Sequence, residues 1–157
     1  MRAQVDEYQV KAAFLYNFAK FVQWPPGAFT SSSEPIAICI IGRNLFGSTL
    51  GDMVENKTVG GRPLAVRRLP DTQHAGKCQI LFVGASEGKR VPALLEPLKG
   101  ASILTVGETR DFTAMGGVMS FKLDGTHVRI QVCLGAAERA QLQISSKLLS
   151  LAEIVKE

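Results

Sequence analysis

Among the side chains that can do chemistry, the cysteines speak first. The chain has three, Cys39, Cys78 and Cys133. No two are close enough in sequence to form a CxxC pair, and three are too few for a disulfide scaffold or a zinc site of ordinary spacing. Cys39 falls inside an apolar β-branched run and Cys78 just before another. If those two strands are sheet neighbours, a bond between the thiols is sterically allowed. Closing that interval would stabilise the fold by roughly 4 kcal/mol in the chain-entropy account. Two buried apolar thiols fit the spacing equally well, since cysteine is among the most buried residue types. Cys133, in a later apolar run, reads as a buried unpaired thiol.

Other reactive types are thinly spread. His74 sits in a polar stretch and His127 at the start of a strand, neither with partners at metal-ligand spacing, so no metal site is expected and both read as surface positions. No GxSxG is present, and Ser31 to Ser33 have no nearby base, so no catalytic set is visible and the chain reads as a non-enzyme requiring no cofactor. The segment Gly42-Arg-Asn-Leu-Phe-Gly47 follows an apolar strand and opens a helix, where backbone N–H groups could hold an anion. It lacks both the GKS/GKT ending of a phosphate loop and the GxGxxG spacing of a dinucleotide fold. Arg43, Asn44 and Gly47 are therefore candidate ligand contacts of a small-molecule sensing module, the alternative to a plain strand-to-helix turn.

The elements that must position these residues follow from composition and periodicity. The 157 residues, 46% apolar and 20% charged, suit one globular domain spanning residues 1–157 and exclude disorder, coiled coil and collagen-like repeats. The longest apolar run, Ile36 to Ile41, is far short of the ~20 residues of a membrane-spanning helix, so no membrane insertion is expected. The net charge of +4 comes entirely from residues 35–100, which carry nine basic and five acidic side chains. Arg62, Arg67 and Arg68 are its densest spot, but a strand would divide them between two faces, and no aromatic platform accompanies them. Nucleic-acid binding is therefore not expected.

Tyr8, Ala12, Leu15, Phe18, Ala19 and Val22 recur at helical spacing and predict a first helix over 6–22, ended by Pro25-Pro26. Phe14, Phe18, Phe21 and Trp24 give it a core-facing aromatic ridge. Strands are predicted over 36–41, 62–69, 79–83 and 102–106, with a short helix ending near Val54 and another over 91–98. Residues 109–115 read as a short helical turn. Asp124-Gly125 between the runs 118–123 and 127–134 is a hairpin signal. Helices are predicted over 135–142 and 145–155, the latter amphipathic through Leu148, Leu149, Ala152 and Val155, with Ser145 as N-cap. The expectation is a single-domain α/β sandwich, a mixed β-sheet of about six strands flanked by helices.

Taken together, Val10-Lys-Ala-Ala-Phe-Leu-Tyr-Asn-Phe-Ala-Lys-Phe-Val-Gln-Trp-Pro25, Ile38-Cys-Ile-Ile-Gly42, Cys78-Gln-Ile-Leu-Phe-Val83, Ile103-Leu-Thr-Val-Gly107, Phe112 with Gly116-Gly117, and Ile144-Ser-Ser-Lys-Leu-Leu-Ser-Leu-Ala152 resemble the YfiR (YfiR/HmsC-like) family of bacterial periplasmic proteins. The resemblance runs nearly end to end and rests on the order and spacing of these segments. It implies a mature periplasmic protein whose signal peptide has been removed, with Cys39 and Cys78 as a structural disulfide, which an oxidising compartment permits. Where the family has asparagine in an Ile-Asn-Leu stretch, this chain has Val132-Cys133-Leu134. With three cysteines a second internal bridge cannot form, so redox control through two bridges does not carry over.

The resemblance further implies a brake on signalling. Such proteins bind the periplasmic sensor domain of an inner-membrane diguanylate cyclase of YfiN type and repress cyclic di-GMP synthesis, and with it biofilm formation. A YfiB-type outer-membrane lipoprotein relieves the repression, and a homodimer is expected. A brake of this kind works by binding the inactive cyclase conformation better than the active one. The predicted last helix either offers an anchor and a polar rim for that contact, around Ile144, Ser145, Ser146, Lys147 and Leu148, or only packs on the sheet.

Overall fold

The computed structural model describes residues 2–155, with side chains from Asp6 onward. A long helix α1 (Arg2–Phe21) leads into a two-residue strand β1 (Val22–Gln23). Strand β2 (Ile36–Ile41), helix α2 (Thr49–Val54) and a small hairpin of β3 (Thr58–Val59) with β4 (Arg62–Leu69) follow. Next come β5 (Ile80–Val83), α3 (Val91–Leu95), β6 (Leu104–Gly107) and the hairpin β7 (Met119–Asp124) and β8 (His127–Cys133). The described chain closes with α4 (Leu134–Arg139), β9 (Gln143–Ile144), α5 (Ser146–Leu149) and β10 (Ala152–Val155).

Eight strands form one mixed sheet in the order β10-β8-β7-β6-β5-β2-β4-β3. Its central five, β4-β2-β5-β6-β7, are mutually parallel. Counted along the chain they run 2-1-3-4-5, the order of flavodoxin-like doubly wound sheets. Strand β8 returns antiparallel to β7, and β10 lies parallel to β8 at the edge. Apart from this sheet, β1 pairs with β9, Val22 opposite Ile144.

Alternation along the buried strands splits the apolar residues into two cores, as the period-2 geometry of a strand requires. Ile36, Ile38, Ile40, Phe82, Val106, Phe121 and Val132 face α1, whose Tyr8, Ala12, Leu15, Phe18 and Ala19 are buried against them. Ala37, Cys39, Ile41, Leu81 and Val83 face the other way, covered by Val91, Leu94 and Leu95 of α3 and by Phe112. The result is the expected α/β sandwich, with eight strands in its main sheet rather than about six.

Two local devices hold the layers in register. Gln79, fully buried, accepts from Ala37 N at 2.7 Å and donates to the Ala28 carbonyl at 3.1 Å, while its own carbonyl accepts from Trp24 Nε1 at 3.0 Å. One side chain thus satisfies a backbone carbonyl of the turn after Pro25-Pro26 and a backbone N–H of β2. On the opposite core, the Phe112 ring is held between two glycines. A Cβ on Gly107 would stand 2.2 Å from Phe112 Cδ1, and one on Gly117 2.1 Å from Cε2. Neither position tolerates a side chain while the ring is there.

The predicted helix over 145–155 does not form as such. Only one turn, Ser146–Leu149, is helical, and Ala152–Val155 extends to pair with Ile130–Cys133. The periodic apolar positions that suggested a helix belong to a turn and then to an edge strand. The turn buries Leu148, whereas the strand's own pairing groups take Ala152 and Val155 into the sheet. β-Branched Ile154 and Val155 favour that outcome.

Candidate functional site

The carboxyl ends of the parallel strands, where doubly wound sheets place their ligands, carry a closed polar network. Glu108, immediately after β6, receives the Tyr8 hydroxyl at 2.8 and 2.9 Å on its two oxygens, Lys11 Nζ at 2.6 Å and the backbone N–H of Ala85 at 2.9 Å. Lys11 Nζ also reaches Glu7 Oε2 at 2.5 Å, one helical turn back. The ammonium lies 4.6 Å from the Tyr8 ring centroid and 5.6 Å from that of Phe121, within cation–π range. Lys11 is only 3% exposed. Burial, reinforced by the neighbouring Glu108 carboxylate, pushes the Tyr8 phenol above its ordinary range.

This network fastens α1 to the ends of β5 and β6 and floors an open cleft of about 650 Å³, lined also by Arg110, Ser120, Lys122 and Gln131. It contains no pair of nucleophile and base with a third group to orient the base, so its evident chemistry is positional. Sequence reasoning passed over it. The available signal was Lys11 itself, a cation set between Tyr8, Ala12 and Leu15 on the face of α1 that periodicity assigns to the core. Nothing local pointed to its partner Glu108, which lies 97 residues away.

The glycine loop is placed as expected, between the end of β2 and α2, beside the point where the strand order reverses. Its polar groups are turned inward on the loop itself. Asn44 Oδ1 accepts from Phe46 N at 3.2 Å and Asn44 Nδ2 donates to the Gly47 carbonyl at 3.4 Å. The Arg43 N–H donates to Ser86 Oγ at 2.9 Å. A Cβ on Gly42, at φ +106°, would meet that same Ser86 oxygen at 2.9 Å. Arg43, Asn44 and Gly47 thus close a turn against the β5 end, with the Arg43 side chain exposed.

Cys39 and Cys78 are bonded, their Cα atoms 6.0 Å apart. Cys39 sits on β2 and Cys78 two residues before β5, and those strands are neighbours. Cys133 is a free, buried thiol at the end of β8. His74 and His127 are exposed. No group of three or more metal-ligating side chains occurs among the described residues.

The segment 144–148 is brought together at the surface in part. Ile144 is tied into the β1–β9 pair, and the Ser145 N–H donates to the Phe21 carbonyl at 2.8 Å. Ser145 caps α5, its Oγ accepting from Lys147 N at 3.2 Å, the N-cap role expected of it. Ser146 and Lys147 are exposed, but Leu148 is 2% exposed and packs under α1. Leu148 therefore cannot serve as an anchor for a partner. The apolar side chain that does reach solvent nearby is Leu151, 68% exposed.

The strand order and layers define a doubly wound α/β domain extended by an antiparallel hairpin and a returning edge strand. The chain belongs to the YfiR/HmsC-like family, which it matches over residues 8–153. Proteins of that family are periplasmic regulators of cyclic di-GMP signalling rather than a known class of enzyme. No curated protein matches the sequence. Among solved structures, a conserved domain protein from Vibrio cholerae O1 biovar El Tor str. N16961 is similar in fold, with a TM-score of 0.53 at 10% identity. The similarity covers 77% of this chain but 54% of that one, so this chain spans about half of that protein's length. No helix among the described residues is long and apolar enough to cross a membrane.

Proposed function

We propose that this chain is a periplasmic negative regulator that binds the periplasmic sensor domain of an inner-membrane diguanylate cyclase of YfiN type, represses cyclic di-GMP synthesis and thereby restrains biofilm formation. The observation that carries this reading is family membership across residues 8–153. The disulfide between Cys39 and Cys78 is in keeping with an oxidising compartment. A YfiB-type lipoprotein would relieve the repression by competing for the same protein, which acts as a homodimer. The chemistry resides in the cyclase, and this chain contributes binding energy to one of its conformations.

The contact surface we assign to the cyclase is the exposed rim of the 144–148 segment, Ser146 and Lys147, with Leu151 beside it as the apolar element. The test is a pull-down of the oxidised protein against the periplasmic domains of membrane diguanylate cyclases from the same genome. Retention of one such domain by the native protein, lost on Lys147→Glu with an unchanged melting curve, is the expected result. Failure to retain any of them, with the disulfide intact, would overturn the reading.

A further inference from the structure

We propose that the outer edge of β10 is the surface on which two copies of this chain join, their strands pairing antiparallel about a two-fold axis at Ile154. This rests on the dimeric reading above and names its face. The two edges of the eight-stranded sheet are built differently. At one end, β3 covers the start of β4, and the rest of β4 presents Arg67 and Arg68 to solvent. Like charges of this kind block further strand addition. At the other end, no described element covers β10, and alternate residues of Ala152–Val155 direct N–H and C=O groups outward with no partner strand among the described residues. Its only charged side chain is Glu153, which accepts from Gln131 Nε2 at 3.1 Å on its own subunit.

At the proposed axis the side chain beside this open edge is apolar and exposed, Ile154 at 46%. Self-pairing has a preferred register. A two-fold axis perpendicular to the sheet keeps each face continuous, so residues of the same parity must oppose one another. Centring on Glu153 would set two carboxylates directly opposite, which is destabilising. Centring on Ile154 sets Ile154 against Ile154 of the second copy and moves each Glu153 opposite a Val155. The strand sequence therefore suits its own copy in one register. Such a pairing is isologous and closes after two chains.

The test uses the full chain, oxidised at Cys39–Cys78, in size-exclusion chromatography with light scattering across a concentration series. The expected result is twice the 17.0 kDa chain mass, reverting to the single mass in Ile154→Lys with an unchanged melting curve. Opposed residues of an antiparallel pair have Cα atoms about 4.5–5.5 Å apart, inside the range a disulfide spans. Ile154→Cys, a smaller side chain at a half-exposed position, should therefore cross-link on mild oxidation while Glu153→Cys and the native chain do not. A dimer that persists in Ile154→Lys and gives no Ile154→Cys cross-link overturns the edge assignment but leaves the dimeric reading standing. A single mass at every concentration overturns both, whatever the cyclase pull-down shows.

Discussion

The Glu108 carboxylate lies 2.6 Å from Lys11 Nζ across 97 residues of chain, and both groups are almost wholly withdrawn from water. Side chains of this kind are kept inside only when paired and hydrogen-bonded. The pair joins the first helix to the strand that ends at Gly107, and the Tyr8 hydroxyl and Ala85 N–H complete the carboxylate's coordination. Glu108→Gln should lower stability by about 3–5 kcal/mol, the range for breaking one partner of a buried pair. Urea unfolding of the two proteins measures it, and a change under 1 kcal/mol would mean the network is solvated in solution.

Tyr8 supplies a pH dependence of definite sign. Its phenol is held above the ordinary tyrosine value of about 10 by burial first and by the Glu108 charge second. A group whose folded pKa is raised contributes stability that is complete below the unfolded value and is lost as pH rises toward the folded one. Stability should therefore fall above about pH 10, by at most ~1.4 kcal/mol per pH unit from this group. Tyr8→Phe should flatten that alkaline slope, read from unfolding curves between pH 9 and pH 11, while costing about 1 kcal/mol at neutral pH through the lost hydrogen bonds.

Gly117 and Phe112 should show strong coupling. Gly117→Ala drives a methyl into a ring atom's position and is expected to cost about 1–3 kcal/mol, as overpacking does. Phe112→Ala leaves a cavity and should cost about 3–5 kcal/mol. In the double variant the methyl occupies vacated space, so its cost should be less than the sum of the two. Additive losses in a double-mutant cycle would contradict the packing described.

Reduction offers a check on the bridge. Opening Cys39–Cys78 removes a constraint on a 39-residue separation, worth roughly 4 kcal/mol in the chain-entropy account. The paired replacement Cys39→Ala with Cys78→Ala should lose a comparable amount. Thiol titration should find none reactive in the folded oxidised protein, because Cys133 is 2% exposed, and one after denaturation. Three thiols after denaturation would exclude the bridge.

Much of the fold was legible because its signals are local. The Ile36–Ile41 run announces a strand buried on both faces, and all six of its residues are buried. Asp124-Gly125 announces the β7–β8 hairpin, which forms with Asp124 opposite His127. The end of the chain misled for an equally local reason. Leu148, Leu149, Ala152 and Val155 satisfy helical periodicity, but an unfilled edge beside β8 draws residues 152–155 into the sheet, a tertiary gain that periodicity does not register. The strand-end network was hidden because its members come from residues 7–11, 85 and 108, which only the folded topology brings together. The glycine loop was located correctly, and the hydrogen bonds that Asn44 and Ser86 make to its turn are side-chain details no spacing pattern announces.

The pairing of Val22–Gln23 with Gln143–Ile144 bears on when the molecule can finish folding. The first helix packs on Phe121, Ile130 and Val132 and is clasped at its end by β9, so its apolar face has no complete resting place until most of the chain exists. Contacts of such long sequence separation form late and slow the search for the native state. A chain arranged this way completes its core only after its carboxyl-terminal strands arrive, so a nascent chain lacking them holds its first helix without a finished face to pack on.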